Sequence, residues 1–96
     1  MIIAIDGPAA AGKGTLAKRL AADKITVNAI APGPFESKMM AATLDAFGDA
    51  IRDSVPLKRI GKPEDMAGVA IYLASEAASY VTGAVIPVDG GMITTL

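Results

Sequence analysis

"KITVNAIAPG", residues 24–33, is the stretch on which the fold turns. Ile25, Val27 and Ala29 alternate with Thr26 and Asn28, and Pro32-Gly33-Pro34 ends the run, so the segment predicts a strand. Upstream, "IIAI" (2–5) is a short apolar run closed by Asp6-Gly7-Pro8, as a buried parallel strand would be. Between them, "KGTLAKRLAA" is rich in helix formers, with Leu16 and Leu20 four apart on one face.

Downstream, helical periodicity runs from Ser37 to about Asp53, where Met40, Leu44, Phe47 and Ile51 recur at spacings of four and three. Gly48 lies inside it and predicts a break or mobility there. "VPLKRIGKP" reads as a loop. Pro63-Glu64-Asp65 then opens a helix whose buried face is Met66, Val69, Ala70 and Leu73. "TGAVIPVDGG" supplies a last strand. Strand, helix, strand, helices, strand is the order of an α/β fold with a parallel sheet and crossover helices. We expect three strands in the order 1-2-3, with Pro87 marking the third as an edge, in one domain. Helices mainly on one face would leave the other wanting cover.

Composition narrows the function. The chain has 96 residues, a net charge of −1 and no Cys or His. Thiol chemistry, disulfides and histidine bases or metal ligands are therefore excluded. Near-neutral charge and four aromatic residues argue against nucleic acid. No apolar run approaches the roughly 18 residues of a membrane span, and "MIIAI" is too short for a signal-peptide core, so a cytosolic protein is expected.

"GPAAAGKGT" (7–15) matches Gly, four residues, Gly-Lys, with Gly14 where Ser or Thr is usual and Thr15 one place late. Gly7, Ala10, Ala11, Gly12, Lys13, Gly14 and Thr15 are the candidate phosphate contacts, through inward N–H groups, a helix N-terminus and the lysine charge. "IAIDGPAAAGKGTLAKRLA" resembles the opening of nucleoside monophosphate kinases, cytidylate kinase most closely. Residues 24–96 are different. "KITVNAIAPGPFESKM", "VPLKRIGKPEDMAGVAIYLASEAASYVTG" and "AVIPVDGGM" resemble the C-terminal part of short-chain dehydrogenases/reductases. That resemblance implies that Pro32, Gly33 and Ser37 occupy the positions beside the nicotinamide in those enzymes. It also implies association, since many members form dimers and tetramers through these helices and this last strand.

The family's glycine loop, catalytic Ser and Tyr-x-x-x-Lys pair have no match here: Ser75 and Glu76 follow Tyr72 at three and four residues, and Gly83 and Ala84 follow Tyr80. "AVIPVD", ending in Asp89, fits a metal-holding strand only loosely and reads better as the family's ordinary final strand. Together the two resemblances imply an engineered chimera joined near residue 23. The function then expected is weak binding of phosphate, sulfate or ATP without catalysis and with no required cofactor, by a homodimer. A non-binding scaffold, or residual NAD-dependent oxidoreductase or kinase activity, are the alternatives.

Overall fold

The computed structural model describes residues 1–5 and 13–93. Three strands, β1 (Ile2–Ile5), β2 (Val27–Pro32) and β3 (Val85–Val88), form one parallel sheet in the order β1-β2-β3. This is the α/β fold and strand order that the sequence predicts. The helices are α1 (Lys13–Ala21), α2 (Ala41–Ser54) and α3 (Pro63–Ala74), with a 3-10 turn at Glu76–Ala78.

The register aligns Ile5 with Ile30 and Ile30 with Ile86, so these side chains share one face. On that face Ile30 packs with Leu73 and Ala78, flanked by Ile3, Met66, Val69 and Ala70. The predicted face of α3 is thus the one it buries. Pro63 is its first residue, where a missing N–H costs nothing, and Asp65 in the first turn accepts the Lys62 N–H at 2.8 Å.

Val27 and Ala29 point to the opposite face and are fully buried as well, and α1 packs on β2 with Ala17 buried. Here the structure corrects the expectation that helices would gather on one side: each face has one. Cover on both sides also buries Asn28, which the alternation alone would send to solvent. Its amide donates to the Val81 carbonyl at 3.0 Å, and its side-chain oxygen accepts the Ala84 N–H at 3.1 Å.

A second correction concerns Gly48. Helix α2 runs through it unbroken, with Arg52 folded over it and ion-paired with Asp49. One interior glycine costs about 1 kcal/mol, which thirteen other helical residues can offset. Helix α2 has no extensive contact with another element among the described residues, and Phe47 on it is 63% exposed. The radius of gyration is accordingly 15.1 Å, against about 12.5 Å for a compact chain of this length.

Replacing Asn28 by Ala removes a donor and an acceptor together and strands the Val81 carbonyl and the Ala84 N–H. A loss of about 2–3 kcal/mol is expected from urea unfolding, whereas Ser79→Ala on the exposed surface is expected to change stability little.

Candidate functional site

All three strands point their C-terminal ends the same way, so the turns after β2 and β3 meet on one rim. Ligands of open α/β sheets bind along such rims. The two turns touch closely. Gly33 donates its N–H to the Val88 carbonyl at 3.0 Å, and a Cβ on Gly33 would stand 2.7 Å from the Asp89 Cβ. Only glycine lets the backbones approach so near.

The chain after Gly33 is held from a second side. Gly61 donates to the Pro34 carbonyl at 2.9 Å, and Glu36 donates to the Gly61 carbonyl at 2.9 Å. Ser37 follows on the surface, and its hydroxyl oxygen accepts the Met40 N–H at 3.2 Å, which leaves the hydroxyl hydrogen available. Pro32, Gly33 and Ser37 thus occupy the end of the central strand and the loop leading to α2.

Asp89 is committed to its own turn: its two carboxylate oxygens accept the N–H groups of Gly91 at 2.9 Å and Ile93 at 3.2 Å. That is a turn residue, not a poised metal ligand, and no cluster of three metal-ligating side chains occurs among the described residues. Gly90 follows with φ +66°, and its carbonyl accepts the Leu57 N–H at 3.1 Å. The end of α2 is thereby pinned to the rim, with Val55 buried against Gly90.

Between these turns opens a cleft of about 510 Å³, walled by Pro34, Leu57, Pro87 and Val88. Arg59 and Asp65 stand at its edge, joined by two hydrogen bonds of 2.8 and 2.9 Å. The hydrogen bond from Arg59, followed by that from the Lys62 N–H, holds the Asp65 carboxyl well below the usual carboxylate range. The same pair raises the Arg59 guanidinium. Sequence reading found Asp65 only as a helix-start acid. Nothing in the spacing of Arg59, six residues earlier, announced the pair.

Of the candidate phosphate contacts, Gly7, Ala10, Ala11 and Gly12 lie outside the described residues. Lys13, Gly14 and Thr15 form the first turn of α1. A Cβ on Gly14 would meet nothing within 4 Å, so no close backbone approach there calls for glycine.

A family model described as enoyl-(acyl carrier protein) reductase matches residues 13–93. The chain belongs to the short-chain dehydrogenase/reductase family. It is 51% identical over 78 residues to a cyclohexanol dehydrogenase of Rhodococcus sp. strain TK6, covering 80% of this chain and 29% of that protein. It is 46% identical over 78 residues to a 3-oxoacyl-(acyl-carrier-protein) reductase of Aquifex aeolicus, covering 81% of this chain and 32% of the relative. Among solved structures, a protein described as a 2-deoxy-d-gluconate 3-dehydrogenase of Agrobacterium tumefaciens, with bound NADP, superposes with a TM-score of 0.81 at 44% identity. That match covers 88% of this chain and 35% of the other. The chain thus spans about a third of the length of the curated relatives it matches.

Two expectations fall with these findings. The chain was expected to be a phosphate or nucleotide binder by a kinase-like loop, and not to be an enzyme; its relatives are oxidoreductases. The family match begins at residue 13, so α1, which the kinase resemblance had claimed, lies within the dehydrogenase-like part. A Gly-x4-Gly-Lys spacing between a strand and a helix is a short pattern, and it does not by itself decide the function of a chain whose longer match is to the dehydrogenases.

Two outcomes are expected at this rim. Gly33→Ala forces the β2 and β3 turns apart and should cost about 1–3 kcal/mol in chemical denaturation. Asp65 has a depressed folded-state pKa, so its contribution is complete above the ordinary carboxylate value of about 4 and is lost as the pH falls below it. The urea midpoint should therefore begin to drop near pH 5 and go on falling below pH 3, and less steeply in Asp65→Asn.

Proposed function

We propose that this chain supplies the nicotinamide-side and substrate-side part of an NADP-dependent short-chain dehydrogenase/reductase. The observation that carries the proposal is the pinned turn Pro32-Gly33 at the C-terminal end of the central strand, in a chain 44% identical to one that holds NADP. The residues present fit one end of such a cofactor. A nicotinamide ring needs an apolar wall and a hydrogen-bond partner for its carboxamide. Pro32 and Pro34 offer ring surfaces without N–H groups, and the Ser37 hydroxyl has a hydrogen to donate. When bound, the cofactor supplies or takes up hydride. The protein's own work here is positional: Val88 and Asp89 fix Gly33, Gly61 fixes Pro34, and Ser37 is set at the start of the segment carrying α2.

Since no Tyr-x-x-x-Lys pair is encoded, the proposal assigns no proton-transfer step to these residues. A cytosolic setting belongs to the same proposal; among the described residues no helix is long and apolar enough to cross a membrane. A fused origin, with the join near residue 23, is a separate proposal, resting only on the resemblance of residues 3–21 to the kinases.

The test is a transplant. Residues 25–93 replace the matching part of the Agrobacterium tumefaciens dehydrogenase, and NADP-dependent turnover is measured. Turnover is expected, and Ser37→Ala in the hybrid should raise the KM for the cofactor by about 3- to 30-fold, the worth of one hydrogen bond. A folded hybrid that binds no NADP would end the proposal.

A further inference from the structure

Pro34, Phe35 and Glu36, which lead into Ser37, share one neighbour, Gly61. The Gly61 N–H donates to the Pro34 carbonyl and the Gly61 carbonyl accepts the Glu36 N–H, both at 2.9 Å, so Phe35 and Gly61 form a parallel bridge apart from the sheet. The Phe35 ring lies on the same residue: a Cβ on Gly61 would stand 2.7–2.9 Å from three of its ring carbons. The segment that ends in Ser37 therefore goes where Gly61 goes. Helix α2, beyond Ser37, makes no extensive contact with another element among the described residues and supplies little restraint from the far side.

Gly61 is itself placed from both sides by one carboxylate. Asp65 Oδ2 accepts the N–H of Lys62, the next residue, at 2.8 Å, and a guanidinium N–H of Arg59, two residues earlier, at 2.8 Å. Asp65 Oδ1 accepts the second guanidinium nitrogen at 2.9 Å, and the Asp65 N–H donates to the Lys62 carbonyl at 2.9 Å. Residues 59 to 62 thus form a short arch tied at both feet to the first turn of α3, with Ile60 buried within it. A two-pronged guanidinium–carboxylate pair fixes orientation as well as distance, which an apolar contact at this half-exposed place could not.

We propose that Arg59 and Asp65 are positioning residues for the cofactor site: together they set Gly61, and through Gly61 they set Pro34 and Ser37. The proposal deepens the reading of the 32–37 turn as the nicotinamide-side contact, and rests on it. Neither charged side chain has to touch the cofactor. The path runs from the guanidinium to the Asp65 carboxylate, to the Lys62 N–H, and from the adjoining Gly61 carbonyl to Glu36, whose neighbour is Ser37. Losing the pair frees the arch, and a freed arch lets the Ser37 hydroxyl wander. A contact that is no longer held ready binds its ligand more weakly, because the ordering must then be done on binding.

Two measurements test this. In the chain itself, with no cofactor, Arg59→Ala should speed hydrogen exchange of the Gly61 and Glu36 amides at least about tenfold and leave those of Ile30 and Gly33 unchanged. In the Agrobacterium tumefaciens hybrid, Arg59→Ala should raise the KM for NADP about 3- to 10-fold and keep kcat within about twofold, since the pair touches no reacting group. Once Ser37→Ala is present, Arg59→Ala should add nothing, because two changes that act through one contact are not additive. Circular dichroism shows that each variant is folded; should Arg59→Ala unfold, Arg59→Lys, which keeps the charge and loses the second prong, should give the same pattern at smaller size. Equal exchange in wild type and variant overturns the hold on Gly61. Additive effects of Arg59→Ala and Ser37→Ala on KM overturn the positioning role even where the exchange responds. A hybrid whose KM ignores Ser37→Ala sinks the cofactor reading, and with it the site that the pair positions, while the exchange result still stands by itself.

Discussion

Everything on the far side of the sheet hangs from the carboxamide of Asn28. It is buried on the central strand and reaches the two backbone groups, the Val81 carbonyl and the Ala84 N–H, that flank the approach to β3. Thr82 adds a third tie by accepting the Val27 N–H at 3.0 Å, and Gly83 a fourth by donating to the Val27 carbonyl at 2.8 Å. A buried amide left without partners would be strongly unfavourable; with both satisfied it selects one placement of the returning chain. The position of β3 follows from these bonds, and with it the turn that meets Gly33.

That meeting is what gives the rim its shape. Three segments remote in sequence converge there: the end of β2, the 55–61 loop and the turn after β3. Each is fixed by backbone bonds and by a glycine that admits a neighbour: Gly33 to Asp89, Gly61 to the Phe35 ring, Gly90 to Val55. The loop leading to Ser37 therefore leaves a rigid corner, although the helix it leads to is largely in water. A rigid corner carrying an accessible hydroxyl suits a part that positions a cofactor supplied with other groups.

The element order and the core face of α3 were legible, because both rest on local patterns: period two, period 3.6, Pro63 at a helix start. The role of Asn28 was not. A polar residue in an alternating strand reads as solvent-facing, and only cover on both faces makes it internal. Gly48 misled through propensity, which sets a cost without saying what offsets it. The phosphate-loop reading of the function erred by weighing a short spacing pattern above the much longer dehydrogenase-like stretch. Pro32, Gly33 and Ser37 could be picked out by resemblance, yet the reason Gly33 must be glycine lay in Asp89, 56 residues away, beyond the reach of any local pattern.

The Asn28 ties span 53 and 56 residues, and this sets an order of events during synthesis. When β2 leaves the ribosome, its inner partners have not yet been made. At about 5–20 residues per second, several seconds pass before residues 81–88 emerge. Until then the central strand has one neighbour at most, and a polar side chain destined for the interior has water for company. The long α2 and α3 segments can coil locally in that interval, but closing a loop of this size is an entropic step that no local structure shortens. A nascent chain stalled before residue 80 would thus expose one side of its central strand to whatever lies nearby, and the last fifth of the chain acts as the clasp that removes it from reach.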